Sequence, residues 1–322
     1  MFTAKTSLRR RFASTGVATA IAAGLLAIAP AAPAGAATQA DEGGKADARM
    51  IKFLDGARKA LGETNDTPGP IEPMIIGGGK ASIKQYPYVA QLWWFDGRGN
   101  ASFCTSSIVG RKKVLTAAHC TDGRNMRTRV SGNKLVGGVV IVGASKRYDG
   151  SLHGGSAMWV TKQWQHKKYN KSKIDNDVAV LTLKKSVASK RVIKIASSTE
   201  KTRYKSGTKA LALGWGRTKS TSNALSPYLK KATLPINKNS TCSSVWGRNF
   251  IKGHMICVGK KATGSDRTTV ATCNGDSGGP LVVRGRVVGV TSWGVKNCVA
   301  RGALPVYAKV STYSKLIAAQ LR

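Results

Sequence analysis

His119, Asp177 and Ser277 are the residues whose types and settings could do covalent chemistry. Ser277 stands in Cys-Asn-Gly-Asp-Ser-Gly-Gly-Pro, Cys273 to Pro280, and a serine hydroxyl needs an adjacent base to become a nucleophile at neutral pH. Gly275, Ser277 and Gly279 also fit G-x-S-x-G, the pattern of a nucleophile on a strand-to-helix elbow. An elbow serine needs its histidine later in the chain. All four histidines, His119, His153, His166 and His254, precede Ser277, so the elbow is excluded by order. The order acid, histidine, serine survives that test, because acids precede His119. Local context favours histidine, acid, serine instead. His119 lies in Leu-Thr-Ala-Ala-His-Cys, and Asp177 opens an apolar run in Asp-Asn-Asp-Val-Ala-Val-Leu-Thr-Leu.

Taken singly, each residue has a plainer reading. His119 is an ordinary polar residue, Asp177 a turn acid and Ser277 a turn serine among glycines. Together, in this order and these settings, they resemble the trypsin/chymotrypsin family of serine proteases, in the style of a secreted bacterial member. Ile75–Gly78 (Ile-Ile-Gly-Gly) with Pro87 downstream, Gly-Trp-Gly at Gly214–Gly216 and Thr-Ser-Trp-Gly at Thr291–Gly294 add to the likeness, which covers residues 75–322.

The resemblance implies roles. His119 would take the proton of Ser277 and later give it to the leaving amine. Asp177 would hold the imidazole and stabilise it once cationic, and the N–H groups of Gly275 and Ser277 would receive the developing oxyanion. Ile75, freed by a cut after Met74, would turn its α-ammonium inward to Asp276. The family commonly has Lys or Arg before that cut, so Met74 points to another activator or to self-cleavage. Cys104 would pair with Cys120, Cys242 with Cys257 and Cys273 with Cys298. Ala271, Thr272, Gly294 and Pro305 would form the specificity pocket, with Ser292, Trp293 and Gly294 along the substrate backbone. An uncharged Ala271 leaves a cationic side chain no counter-charge, and Pro305 would narrow the pocket. Small or medium apolar P1 residues are expected. No cofactor, metal or calcium site is expected, since Asp149 is the one acid between Lys146 and Met158. His153, His166 and His254 are read as structural or surface residues.

The elements that must position these groups are short β-type runs: Tyr88–Trp94, Leu135–Val142, Val178–Leu183, Ala210–Leu213, Leu281–Val283 and Val287–Thr291. Such runs suggest an antiparallel sandwich or barrel. With the resemblance, the expected fold is all-β: two packed six-stranded antiparallel Greek-key barrels (residues 81–190 and 191–310) and a C-terminal helix (311–322) with Tyr313, Leu316, Ile317 and Leu321. Upstream, Met50, Ile51, Phe53, Leu54, Ala57 and Leu61 recur at helical spacing, and Thr67-Pro68-Gly69-Pro70 ends that helix. A free helix this short is marginal, so it is expected to lean on the domain or to fray.

Lys5 and Arg9–Arg11, an apolar run from Val17 to Ala29 and Ala34-Gly35-Ala36 have the order of an export signal. Residues 1–36 are therefore read as a signal peptide, by the general or the twin-arginine route, and 37–74 as a propeptide. Six cysteines in an exported chain favour three disulfides over a metal site. The net charge is +37, and from residue 75 onward 43 Lys/Arg face eight Asp/Glu. The bases are scattered, which suits general attraction to polyanions or cell wall and no dedicated nucleic-acid site. The expected protein is a secreted monomeric endopeptidase acting on proteins or peptides. A cationic polyanion- or cell-surface-binding protein on a protease scaffold, or a secreted esterase, would share much of this sequence.

Overall fold

A computed structural model describes residues 47–62, 75–131 and 134–322. The expected signal peptide, residues 37–46, the Thr67–Pro70 break and Met74 lie outside the described residues.

β-branched and aromatic residues set the strands. In chain order these are β1 (Gly79–Lys80), β2 (Val89–Phe95), β3 (Ala101–Gly110), β4 (Lys113–Thr116), β5 (Arg129–Ser131), β6 (Lys134–Val142), β7 (Ser156–Gln165) and β8 (Ala179–Leu183). Strands β2-β3-β4-β8-β7-β6 pair in that order, all antiparallel, and β6 pairs back onto β2. This closes a six-stranded barrel, with β5 added beside β6. Side chains alternate across the pleat. Ala90, Leu92, Val140 and Val142 enter the barrel core, whereas Val89, Trp93, Val139 and Ile141 belong to a second apolar cluster.

The second sheet uses β9 (Lys194–Ile195), β10 (Lys209–Gly214), β11 (Lys230–Pro235), β12 (Met255–Cys257), β13 (Pro280–Val283), β14 (Arg286–Trp293) and β15 (Val306–Lys309). Its order is β1-β11-β10-β13-β14-β15-β12. An antiparallel bridge between Ile236 and Val258 brings the chain after β11 against the chain after β12. Two features depart from a plain pair of sequential antiparallel barrels. Strand β1 joins the second sheet although it precedes the first, and β9 pairs with β14 in parallel.

The described residues also hold three α-helices, α1 (Ala48–Ala60), α2 (Asn239–Trp246) and α3 (Val310–Gln320), besides short 3₁₀ turns. Helix α3 buries Val310, Tyr313 and Ile317 in a core that also holds Val282, Val287 and Val290 of the second sheet and much of the first barrel. Leu316 faces outward instead, 48% exposed. Helix α1 buries Met50, Phe53, Leu54 and Ala57, so the expected leader helix leans on the domain. Among the described residues no helix is long and apolar enough to cross a membrane.

Candidate active site

His119 occupies a single 3₁₀ turn, Ala118–Cys120, immediately after β4. The Cys104–Cys120 disulfide fixes that turn to β3. Asp177 sits just before β8, after a tight loop in which Ile174 and Asn176 both have positive φ (47° and 56°). Such residues need a surrounding structure that over-determines them. Asp177 is 1% exposed. Its Oδ1 accepts from the backbone N–H of His119 at 2.8 Å, and its Oδ2 lies 2.8 Å from His119 Nδ1. Ser292 Oγ donates to the same Oδ2 at 2.6 Å. With these donors on the carboxylate, Nδ1 is the protonated ring nitrogen and Nε2 is left as the acceptor. Burial pulls the His119 pKa down, but the charge and hydrogen bond of Asp177 outweigh it and the net displacement is upward. The Ser292 hydroxyl is a site group that sequence reading missed, having placed Ser292 only along a substrate backbone. A serine two residues before Gly294 carries no distinctive spacing that would have signalled it.

Ser277 lines the same cleft as His119. Among the described residues no hydrogen bond joins its hydroxyl to the imidazole. Gly275 has φ 93°, and a Cβ there would strike Leu225 and the backbone at Gly216. Only glycine suits this turn. Thr105 of β3 braces the turn from the first barrel, donating its N–H to Ser277 O and its hydroxyl to Gly275 O, each at 2.9 Å. Among the described residues, the N–H groups of Gly275 and Ser277 have no acceptor within the chain.

Asp276 points away from the cleft and is fully buried. Its Oδ1 accepts from Gly216 N–H at 2.8 Å and its Oδ2 from Cys273 N–H at 2.9 Å. Burial pushes its pKa up to about 7, against the downward pull of those two bonds. Ile75 is fully buried with φ 34° and packs with Leu281 and Tyr307. Among the described residues no ion pair or hydrogen bond joins Ile75 to Asp276.

The cleft holds about 490 Å³. Thr272, Gly294, Ala303, Leu304 and Pro305 line it, as do Ser292 and Trp293. A Cβ added at Gly294 would meet nothing within 4 Å, so that wall is open. Ala271 does not line the cleft as expected of a pocket floor. It is 2% exposed, and its N–H donates to Ile76 O at 3.0 Å. Thr272, whose hydroxyl is hydrogen-bonded with Tyr307 at 3.2 Å, takes the lining position. The acid in the lining is Asp122, 3.2 Å from Lys171 Nζ.

All three expected disulfides form: Cys104–Cys120, Cys242–Cys257 and Cys273–Cys298. Cys104, His119 and Cys120 bring their potential ligand atoms within 4.8 Å of one another, but sulfurs in a disulfide are not available as thiolates. Asp149 is met by Lys146 and His153, each at 2.7 Å. His254 pairs with Asp175 at 2.8 Å, and His166 stacks edge-on to Tyr313.

Residues 75–317 match the family model described as Trypsin. A trypsin of Saccharopolyspora erythraea is 34% identical over 247 residues, covering 77% of this chain and 98% of that protein. A trypsin of Sus scrofa is 29% identical over 250 residues, covering 76% of this chain and 95% of that protein. Among solved structures, neuropsin, a serine protease expressed in the limbic system of mouse brain, aligns with a TM-score of 0.60 at 27% identity. That alignment covers 76% of this chain and 99% of that chain.

Proposed function

We propose that this chain, which belongs to the trypsin family of serine proteases, is secreted as an inactive precursor and cleaves peptide bonds through Ser277, His119 and Asp177. One observation carries the assignment. The imidazole of His119 is locked onto a buried Asp177 through Nδ1, and Ser277 lies in the same cleft. His119 Nε2 takes the hydroxyl proton as Ser277 Oγ bonds to the scissile carbonyl carbon. The carbonyl oxygen then carries the negative charge, held by the N–H groups of Gly275 and Ser277. Collapse breaks the C–N bond, and the same proton passes to the amine. Water repeats the sequence to release the acid. Losing one oxyanion donor costs about 10²–10³ in kcat in comparable sites.

Activation is the cut between Met74 and Ile75. Asp276 is a buried carboxyl held by two neutral donors, a setting that a new ammonium would relieve. Tyr307 packs with Ile75 and lies within electrostatic reach of Asp276. The pocket takes small or medium apolar P1 side chains, because Ala303, Leu304 and Pro305 line it. Three disulfides suit an oxidising compartment, in line with the export signal read in residues 1–36. The cationic surface adds general attraction to polyanions.

Fluorophosphonate labelling and casein hydrolysis test the assignment, with Ser277→Ala as control. Both signals should vanish in the variant. Hydrolysis surviving Ser277→Ala, or an active protein in which Ser277 is still covalently continuous with residues before Ile75, would overturn it.

A further inference from the structure

The first barrel has an apolar exterior as well as an apolar core. Val89, Trp93, Phe103, Val139 and Ile141 of β2, β3 and β6 cluster with Leu213, Trp215 and Leu229. Helix α1 covers this outer layer, resting on β2, β3 and β6. Its Leu54 and Ala57 are completely buried, and Met50 and Phe53 nearly so. The Phe53 ring meets Phe95 and Trp159 edge-on, with centroids 5.8 Å away in each case. Gly56 lies so close that a Cβ would come within 2.8 Å of the Phe95 ring. Tyr148 donates its hydroxyl to Asp55 Oδ1 at 2.8 Å, adding a polar tie. No α1 residue lines the catalytic cleft.

We infer that helix α1 is a permanent subunit of the mature protein: after the cut it stays on the first barrel as a second, non-covalently held chain. This rests on the cleavage after Met74 proposed above. Losing the helix would return four apolar side chains and an aromatic barrel face to water, which opposes release. The detached helix, 13 residues long, would be marginal in water and would lose its fold as well. Retention depends on packing, since every cysteine is bonded within residues 104–298. The apolar cluster that the helix joins also contains Trp215, whose neighbour Gly216 holds Asp276.

The test uses the full chain with an affinity tag at residue 40. It is cut either by its own maturation or by a site-specific protease whose recognition sequence replaces residues 64–72. Under native conditions the tag should retain residues 75–322 in one-to-one ratio, and amides of 50–57 should keep their hydrogen-exchange protection after cutting. Elution of 75–322 alone, with that protection lost, overturns the inference. In Leu54→Asp the cut should release the helix. If that variant fails to fold, exchange on the wild-type protein decides. Native maturation at another bond would refute the proposed activation, while the engineered cut would still test retention.

Discussion

Ser292 and Asp177 are joined by a hydrogen bond of 2.6 Å that ends on the carboxylate oxygen facing His119 Nδ1. The second sheet thereby holds the acid that the first barrel presents to its own histidine. Ser292→Ala removes one donor from a buried carboxylate, a bond to a charged group worth about 1.5–3 kcal/mol. A fall in kcat/KM of roughly tenfold to a hundredfold is expected. The pH profile gives the sharper readout. The proposed mechanism needs neutral His119, whose pKa is already raised by Asp177. A carboxylate with one donor fewer concentrates more charge on the imidazolium, so the acid limb should move to higher pH. An acid limb that stays in place would reduce Ser292 to a packing residue.

Asp276 predicts a pH dependence of the uncut precursor. Its carboxyl titrates near 7 in the folded chain against an ordinary 3.8, so the folded state binds the extra proton between those values. By linkage this contribution to stability is fully present below about pH 4 and is lost as the pH rises through about 7. The displacement corresponds to roughly 4 kcal/mol. Relative to Asp276→Asn, the precursor should therefore weaken across that window in denaturant titrations. Once Ile75 is free, its ammonium should pull the carboxyl down and reverse the slope. Parallel curves for precursor and variant would show that Asp276 does not titrate there.

The disulfides and the pairing of His119 with Asp177 beside the cleft that Ser277 lines were legible because chemistry constrains residue type, order and neighbours together. His119 beside Cys120, Asp177 ahead of Val178-Ala179-Val180 and Ser277 among glycines each carry local context. The helix over Met50–Ala57 was legible from spacing. Strands β3 and β7 were not. Ala101–Gly110 contains three serines and a threonine, and Ser156–Gln165 mixes Trp159 and Val160 with Thr161, Lys162 and Gln163. Their strand character comes from pairing with neighbours, and tertiary context overrides β propensity. Ala271 shows the same limit at the site. Its place in the sequence suggested a pocket floor, but its N–H is tied to Ile76 O and it lies buried outside the cleft lining, a tertiary contact that local sequence does not signal.

Pro305 gives a specificity prediction. It lines the cleft together with Leu304, Ala303 and the open wall at Gly294. Pro305→Gly removes the ring and should raise kcat/KM for peptides with P1 Phe or Tyr over P1 Ala. One to three kcal/mol of pocket discrimination corresponds to about ten- to two-hundredfold. Profiling wild type and variant on a P1 peptide library checks this. Highest turnover on Arg or Lys by the wild type would refute the apolar pocket, and an unchanged profile in the variant would remove Pro305 from it.

Thr105 should matter to turnover although it lies outside the cleft lining. It is fully buried in β3, and its hydroxyl and N–H grip Gly275 O and Ser277 O from the opposite barrel. Thr105→Val preserves shape but withdraws the hydroxyl, leaving Gly275 O without that donor at a cost of about 1–3 kcal/mol. Because the Gly275 carbonyl fixes the peptide plane that lies between those carrying the Gly275 and Ser277 N–H groups, the loss should let both N–H groups drift. Those groups act on charge that develops only in the transition state. The expected signature is a lower kcat with KM nearly unchanged. Restoration by Thr105→Ser, which returns the hydroxyl, separates this from a general packing defect. A rise in KM alone, or no rescue by serine, would show that the brace serves the fold and not the turn.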